Sequence, residues 1–112
     1  MDSTRQQKVA RLLQKELATV LQAEGRNIYG SAMITLTRVE VSKDLSFAKV
    51  YVSIFATNDK FRVIEQIDEN KKDLRFRLGQ QVRHQLRVVP ELVFVLDDTL
   101  DYIENIDNLL KK

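Results

Sequence analysis

Residues 71–98, KKDLRFRLGQQVRHQLRVVPELVFVLDD, place a basic helical pattern before the chain's only proline and an apolar run after it. In the first part, apolar residues recur at a four-residue step, namely Leu74, Leu78, Val82 and Leu86. This step lays one apolar stripe along a helix and predicts that the helix packs against a core. The other sides of the helix then face water or a binding partner.

The second part of the stretch predicts a change from helix to strand. Pro90 cannot continue a helix and biases Val89 towards extended backbone, so we expect the helix to end near Arg87. Residues 92–96, LVFVL, then carry apolar side chains on both faces of a strand. Burial on both faces is typical of central strands, so we expect this strand to lie inside a sheet rather than at its edge.

The helix also carries a concentration of positive charge. Within residues 71–87 six cations stand against one acid, Asp73, so this segment has a charge of +5 while the whole chain has +2. The cations are Lys71, Lys72, Arg75, Arg77, Arg83 and Arg87. A local excess of this size is typical of a surface that binds a polyanion.

The N-terminal segment predicts a first helix that begins at a capping box. Ser3 and Gln6 have the spacing at which each side chain satisfies the other's backbone amide. Apolar residues follow at helical spacing, and we expect the helix to end near Gly25. Cations lie on the side away from the apolar stripe, and they form either a solvated face or an extension of the basic surface. They are Arg5, Lys8, Arg11 and Lys15.

Two strands follow, at residues 33–41 and 47–55, and residues 42–46 connect them as a hairpin. In the first strand the apolar positions change phase, which predicts a β-bulge near Arg38. The second strand has one apolar face, formed by Ala48, Val50, Val52 and Ile54. Phe47 and Tyr51 are predicted on the other face, where an aromatic ring either covers another element or stacks on a base.

The segment from residue 59 to residue 87 is too long for one helix of a small domain, so we expect a break near residues 70–73. Its first half begins at residues 57–59 and carries Phe61, Ile64 and Ile67 at helical spacing. After the last strand, Asp98 or Thr99 begins a short amphipathic helix within a C-terminal extension, residues 97–112. The predicted fold class is α+β, with a three-stranded sheet, helices packed on one sheet face and the order helix-strand-strand-helix-helix-strand.

Composition restricts the classes of protein. The 112 residues fit a single domain, 1–112, and no apolar run approaches the roughly 18 residues of a membrane span. The chain has no cysteine, and its start lacks the apolar segment of a secretory signal, so we expect a cytoplasmic protein. The three glycines match no phosphate-binding loop, which argues against nucleotide-dependent enzymes.

Catalytic and metal sites have weak support in the sequence. The only histidine, His84, lies within the basic segment, and a contact to nucleic acid suits it better than catalysis. Four acids near the C-terminus could together bind Mg²⁺, as a metal-dependent hydrolase would require, namely Asp97, Asp98, Asp101 and Glu104. Their clustering suits a helix start better, because acids stabilise the positive end of the helix dipole. We therefore expect no catalytic residue, no metal, no cofactor and no small-molecule substrate.

The predicted order of elements is that of a type II KH domain, an RNA-binding fold. Three segments make the resemblance more specific: RQQKVARLLQKELATVL, VEVSKDLSFAKVYVSIF and LRFRLGQQVRHQLRVVPELVFVLDDTLDYIENIDNLL. Over nearly its whole length the chain resembles the ribosome-binding factor A family. In that family an interhelical kink with a small-x-Gly pattern replaces the usual Gly-x-x-Gly loop, whereas this chain has Asn70-Lys71-Lys72 there, without glycine.

The resemblance implies a non-enzymatic factor that binds the small ribosomal subunit and its precursor. It further implies contact with small-subunit rRNA and a role in late rRNA maturation and in growth in the cold. We expect the six cations of residues 71–87 and His84 to form the main rRNA contact, with the four cations of the first helix assisting if that helix packs alongside. A monomer is expected. The alternative is a protein-interaction adaptor that uses the basic surface and an acidic C-terminal helix.

Overall fold

The computed structural model describes residues 3–28, 33–55, 57 and 59–97. The elements are, in chain order, α1 (Thr4–Ile28), β1 (Met33–Val41), β2 (Phe47–Phe55), α2 (Lys60–Glu69), α3 (Lys71–Val82) and β3 (Glu91–Leu96). This order confirms the predicted α+β class and the sequence of helices and strands. The predicted C-terminal helix lies outside the described residues, and α1 continues past Gly25 to Ile28.

The three strands form one mixed sheet in the order β1-β2-β3, with β1 antiparallel and β3 parallel to β2. The register of β1 against β2 shifts between Leu36 and Arg38, which confirms the predicted bulge. The prediction that residues 92–96 form a central strand is wrong, because β3 lies at an edge of the sheet that the described residues form. Leu92 is 1% exposed, whereas Val93 on the other face is 43% exposed. An apolar run alone therefore did not distinguish an edge strand from a central one.

The helices and one face of the sheet share a single hydrophobic core. From the central strand, Ala48, Val50 and Val52 are fully buried. The helices contribute fully buried residues to the same core, namely Leu13, Leu17, Ile67, Leu74, Leu78 and Val82. Each buried Leu, Ile or Val stabilises the fold by about 1.5–3 kcal/mol relative to exposure. Helix α1 packs against both β1 and α3, so the core fixes α3 beside α1.

The start of α1 confirms the predicted capping box and joins it to the sheet. The Gln6 backbone amide donates to Ser3 Oγ at 3.1 Å, and the Ser3 amide donates to Gln6 Oε1 at 2.9 Å. In addition, Gln6 Nε2 donates to the Val41 carbonyl at 2.8 Å, and the side chain is buried. One residue therefore caps the helix and holds its first turn against the end of β1.

The predicted break near residues 70–73 is confirmed at Asn70, which ends α2 and precedes α3. Its backbone has φ −91° and ψ 8°, outside the left-handed region, so this kink does not require glycine. On α2 the buried residues are Val63 and Ile67, whereas Phe61 is 72% exposed. Phe61 therefore lies off the apolar face that its spacing predicted.

Helix α3 ends at Val82 rather than near Arg87, because the chain turns back along the helix. The Gln85 and Leu86 amides both donate to the Val82 carbonyl at 2.8 Å, which closes a turn. Residues 83–90, the return segment, then run back until Val89 lies beside Gly79. This reversal brings Glu91 opposite Phe47 at the start of the parallel pairing, which a longer helix would prevent.

Candidate nucleic-acid interface

An open depression of about 490 Å³ lies between α3 and the return segment. Its apolar floor contains Phe76, Gly79 and Val89, and cations surround this floor. The complete lining of this feature, the α3 depression, is Lys72, Arg75, Phe76, Gly79, Gln80, Arg83 and Val89. The fold therefore places three of the predicted RNA-binding cations, Lys72, Arg75 and Arg83, around one concave surface.

Arg75 holds the return segment against α3. Its Nε donates to the Pro90 carbonyl at 3.2 Å, and its Nη2 donates to the Val89 carbonyl at 2.6 Å. The side chain is half-buried. These contacts fix the turn before β3 and keep the guanidinium at the edge of the α3 depression, so Arg75 has a structural role that the sequence did not indicate.

Two of the other predicted cations pair with acids. Lys71 Nζ lies 3.5 Å from Asp68 Oδ1, and Arg77 Nε lies 3.1 Å from Asp73 Oδ2. At 100° per residue, Arg77 is rotated about 140° from Lys72 around α3. The structure therefore places Arg77 on a different side of the helix from the α3 depression.

Lys72, Arg83, His84 and Arg87 have exposed side chains. Within the part of the chain that the structure describes, no hydrogen bond or ion pair engages these side chains. Arg83 and His84 lie in the turn after α3, and Arg87 follows in the return segment. Their charges are therefore available to a ligand without breaking an existing contact between described residues.

A second depression, of about 220 Å³, adjoins the first at the α3 start and the β3 start. It is lined by Lys71, Lys72, Arg75, Glu91, Leu92 and Val93. Lys72 and Arg75 belong to both depressions, so the basic surface is continuous from the Asn70 kink to Arg83. Glu91 makes this second depression less positive than the first.

The predicted cations of α1, Arg5, Lys8, Arg11 and Lys15, are all exposed. Helix α1 packs against α3, but Lys15 lines a depression together with Ile34 and Thr35 of β1 rather than with α3. Among the acids of the alternative metal site, Asp97 accepts a hydrogen bond from Thr37 Oγ1 at 2.6 Å. Asp98, Asp101 and Glu104 lie outside the described residues.

Sequence reasoning missed the aromatic part of the site. The sequence did not predict the exposure of Phe76, which is 66%, whereas Phe47 was predicted on the outer sheet face and is 50% exposed. The signal for Phe76 was its place off the stripe of Leu74 and Leu78, on the same side of α3 as Lys72. On the outer sheet face, the Arg38 guanidinium lies 4.4 Å from the centre of the Tyr51 ring, so that ring already has a cationic partner.

Along the described helices, no segment combines the length and the apolar character needed to cross a membrane.

Comparison with known proteins gives a family. The sequence profile described as "Ribosome-binding factor A" matches residues 5–110. Ribosome-binding factor A of Cytophaga hutchinsonii is 45% identical over 112 residues, which are 100% of this chain and 84% of that protein. The protein of the same name from Phytoplasma mali is 39% identical over 94% of this chain and 92% of its own length.

Solved structures with the same fold carry related names. The crystal structure of ribosome-binding factor A from Thermus thermophilus has a TM-score of 0.68 and 24% identity, over 81% of this chain and 94% of that one. The solution structure of a putative ribosome binding factor A from Thermotoga maritima has a TM-score of 0.65 and 27% identity, over 85% and 89%. A homology model of the Thermus thermophilus factor, fitted into a cryo-EM map of a 30S complex, has a TM-score of 0.60 and 23% identity, over 87% and 96%.

Proposed function

The chain belongs to the ribosome-binding factor A family, and on this premise we propose that it is a non-enzymatic assembly factor of the small ribosomal subunit. It binds the small subunit or its precursor through small-subunit rRNA, and it supports late rRNA maturation and growth in the cold. It acts as a monomer in the cytoplasm. Residues 1–112 form one RNA-binding domain with a type II KH-like fold. The homologous Thermus thermophilus protein, whose model was fitted into a map of a 30S complex, supports the small subunit as the partner.

The observation that carries the proposal is the group of unpaired cations on α3 and the return segment. Lys72, Arg83 and Arg87 are exposed, and no described residue neutralises them. Lys and Arg that bind phosphates release condensed counterions, which gives an affinity that falls steeply with salt and depends little on sequence. The positions of these cations along α3 and the return segment then select an RNA by shape.

The remaining predicted cations are expected to contribute less, and Arg77 would do so from a different side of α3. Lys71 and Arg77 exchange an intramolecular carboxylate for a phosphate on binding, and Arg75 keeps its contacts to the return segment. His84 lies in the turn beside Arg83. RNA that extends past α3 onto the neighbouring helix contacts the α1 cations, which are Arg5, Lys8, Arg11 and Lys15.

The test is binding of the purified protein to small ribosomal subunits and to naked small-subunit rRNA over a salt series, with large subunits as the comparison. We expect preference for small subunits and a linear fall of log affinity with log salt. In the double variant Arg83→Gln/Arg87→Gln, we expect affinity to fall about tenfold or more and the salt slope to decrease by about one per cation removed.

A matched control is the double variant Lys49→Gln/Arg62→Gln, which makes the same change in net charge. Lys49 is exposed on the outer sheet face, and Arg62 is exposed on α2. We expect the affinity of this control to stay close to that of the parent. Equal losses of affinity in both double variants would show that binding depends on net charge and not on this interface. Equal affinity for small and large subunits would refute the proposed function. Cellular complexes that survive RNase would instead favour the adaptor alternative.

A further inference from the structure

We propose that the α3 depression binds the base of one unpaired nucleotide of an RNA strand, with Phe76 as the stacking surface and Lys72 and Arg83 on the flanking phosphates. The inference rests on the proposed function, since it names the part of the RNA that this surface takes. It adds a site that reads an exposed base, whereas the cations alone recognise only the RNA backbone.

The first argument is the arrangement of one side of α3. Lys72, Phe76, Gly79 and Arg83 follow one another at steps of four, three and four residues, which places them in a single row along the helix. Buried Leu74, Leu78 and Val82 occupy a different side. An aromatic ring that is 66% exposed, with a cation at each end of its row, matches the platforms on which unpaired bases stack.

The second argument is the glycine inside the helix. A helix-interior glycine is about 0.5–1 kcal/mol less stable than alanine, so its presence at position 79 has a cost. A Cβ at Gly79 would meet Val89 Cγ2 at 3.4 Å, an ordinary van der Waals contact, so packing against Val89 does not exclude alanine. The missing side chain instead leaves more open space in the depression that Gly79 and Phe76 both line.

The third argument is charge. Lys72 and Arg83 lie eleven residues apart, about 16 Å along the helix axis, with the apolar floor between them. The nearby acid of α3, Asp73, pairs with Arg77 on another side of the helix. A ligand with a flat apolar centre and anionic groups on both sides is therefore complementary, and a nucleotide within an RNA strand has this form. An acidic peptide shares the anionic groups but lacks the flat centre, so the structure favours RNA.

The first experiment compares Phe76→Ala with Phe61→Ala for binding to a short unstructured oligoribonucleotide. Phe61 is a matched control because it is a helix-surface phenylalanine with 72% exposure that lies outside the depression. We expect Phe76→Ala to weaken binding about five- to a hundredfold, the range for loss of one stacked base, without changing the salt slope. Phe61→Ala should bind like the parent.

The second experiment uses the absence of tryptophan from the sequence. The variants Phe76→Trp and Phe61→Trp each give a protein with one fluorescent indole. We expect the oligoribonucleotide to quench the indole at position 76 and leave the one at position 61 unchanged. Inorganic polyphosphate and poly-glutamate carry the anionic groups without bases, and they should leave both indoles unchanged.

The outcomes separate the two levels of inference. A parent protein that binds neither small subunits nor rRNA would overturn the proposed function itself. Normal RNA binding with an equal affinity of Phe76→Ala, or without quenching at position 76, would overturn only the nucleotide site. If poly-glutamate quenches the indole at position 76 as strongly as RNA does, the depression binds an acidic protein partner, and the nucleotide site is again overturned.

Discussion

Arg75 gives the sharpest test of how the fold and the basic surface depend on each other. Its guanidinium donates to the Val89 and Pro90 carbonyls at 2.6 and 3.2 Å, and the side chain is half-buried. Hydrogen bonds that involve a charged group contribute about 1.5–3 kcal/mol each, part of which returns when water reaches the freed carbonyls. For Arg75→Gln we therefore expect a loss of about 2 kcal/mol in the free energy of unfolding.

Arg75→Lys separates charge from geometry at the same position. Lysine keeps the positive charge but lacks the planar fork that reaches both carbonyls, so we expect a loss of about 1 kcal/mol. The assay is urea unfolding followed by circular dichroism, with thermal melts as a second measure. For a chain of this length each kcal/mol corresponds to about 4 °C in Tm, so Arg75→Gln should melt about 8 °C lower.

The control is Arg83→Gln, because the Arg83 side chain is exposed and makes no hydrogen bond or ion pair with a described residue. Its free energy of unfolding should stay within about 0.5 kcal/mol of the parent, while both variants weaken binding to small-subunit rRNA. Equal unfolding midpoints for Arg75→Gln and Arg83→Gln would refute the idea that Arg75 holds the return segment.

Three further predictions concern other parts of the chain. Gln6→Glu keeps the capping acceptor but loses the donor to the Val41 carbonyl. Urea unfolding at pH 7 should therefore show a free energy of unfolding lower by about 2 kcal/mol. This loss should shrink as pH falls, because the introduced carboxyl group protonates and can donate again. Hydrogen bonds from Ser46 and Ser42 lower the pKa of Asp44 from 3.8 to about 2. The ionised Asp44 therefore stabilises the folded state fully above about pH 4, and this contribution disappears as the pH falls towards 2. Unfolding curves of the parent and Asp44→Asn should therefore converge over that window, and a constant difference would contradict this assignment. Gly79→Ala should raise the free energy of unfolding by about 0.5–1 kcal/mol and yet weaken oligoribonucleotide binding; a more stable variant with unchanged binding would show that the floor takes no base.

Local rules predicted the elements of this fold well. The capping pattern of Ser3 and Gln6, the phase change near Arg38 and the break at Asn70 each depend on residues close together in sequence. The cations of residues 71–87 were also identified directly, because charge requires no knowledge of the fold. These features follow from short-range geometry, and the structure contains all of them.

The errors concern relationships between distant segments. Whether residues 92–96 lie at a centre or an edge depends on which strand β2 pairs with on each side, and the apolar run carries no such information. The early end of α3 depends on the contact of Val89 with the helix ten residues before it. Both outcomes are decided by tertiary packing, which propensity and periodicity do not describe. The exposure of Phe76 differs, because the periodicity of the helix already places this residue off the stripe of Leu74 and Leu78.

The geometry of Arg75 leaves this cation able to contact RNA while it contributes to the fold. A guanidinium has five N–H donors, and the contacts to Val89 and Pro90 use one on Nε and one on Nη2. Three N–H groups remain, and Arg75 lines both depressions of the basic surface. A phosphate bound by these groups does not compete with the carbonyls, so RNA binding leaves the return segment in place. Because Val89 is part of the floor, the interaction that stabilises the turn also keeps the proposed base site formed before RNA arrives. Binding then requires little reorganisation, and RNA should raise the unfolding temperature of the parent more than that of Arg75→Gln.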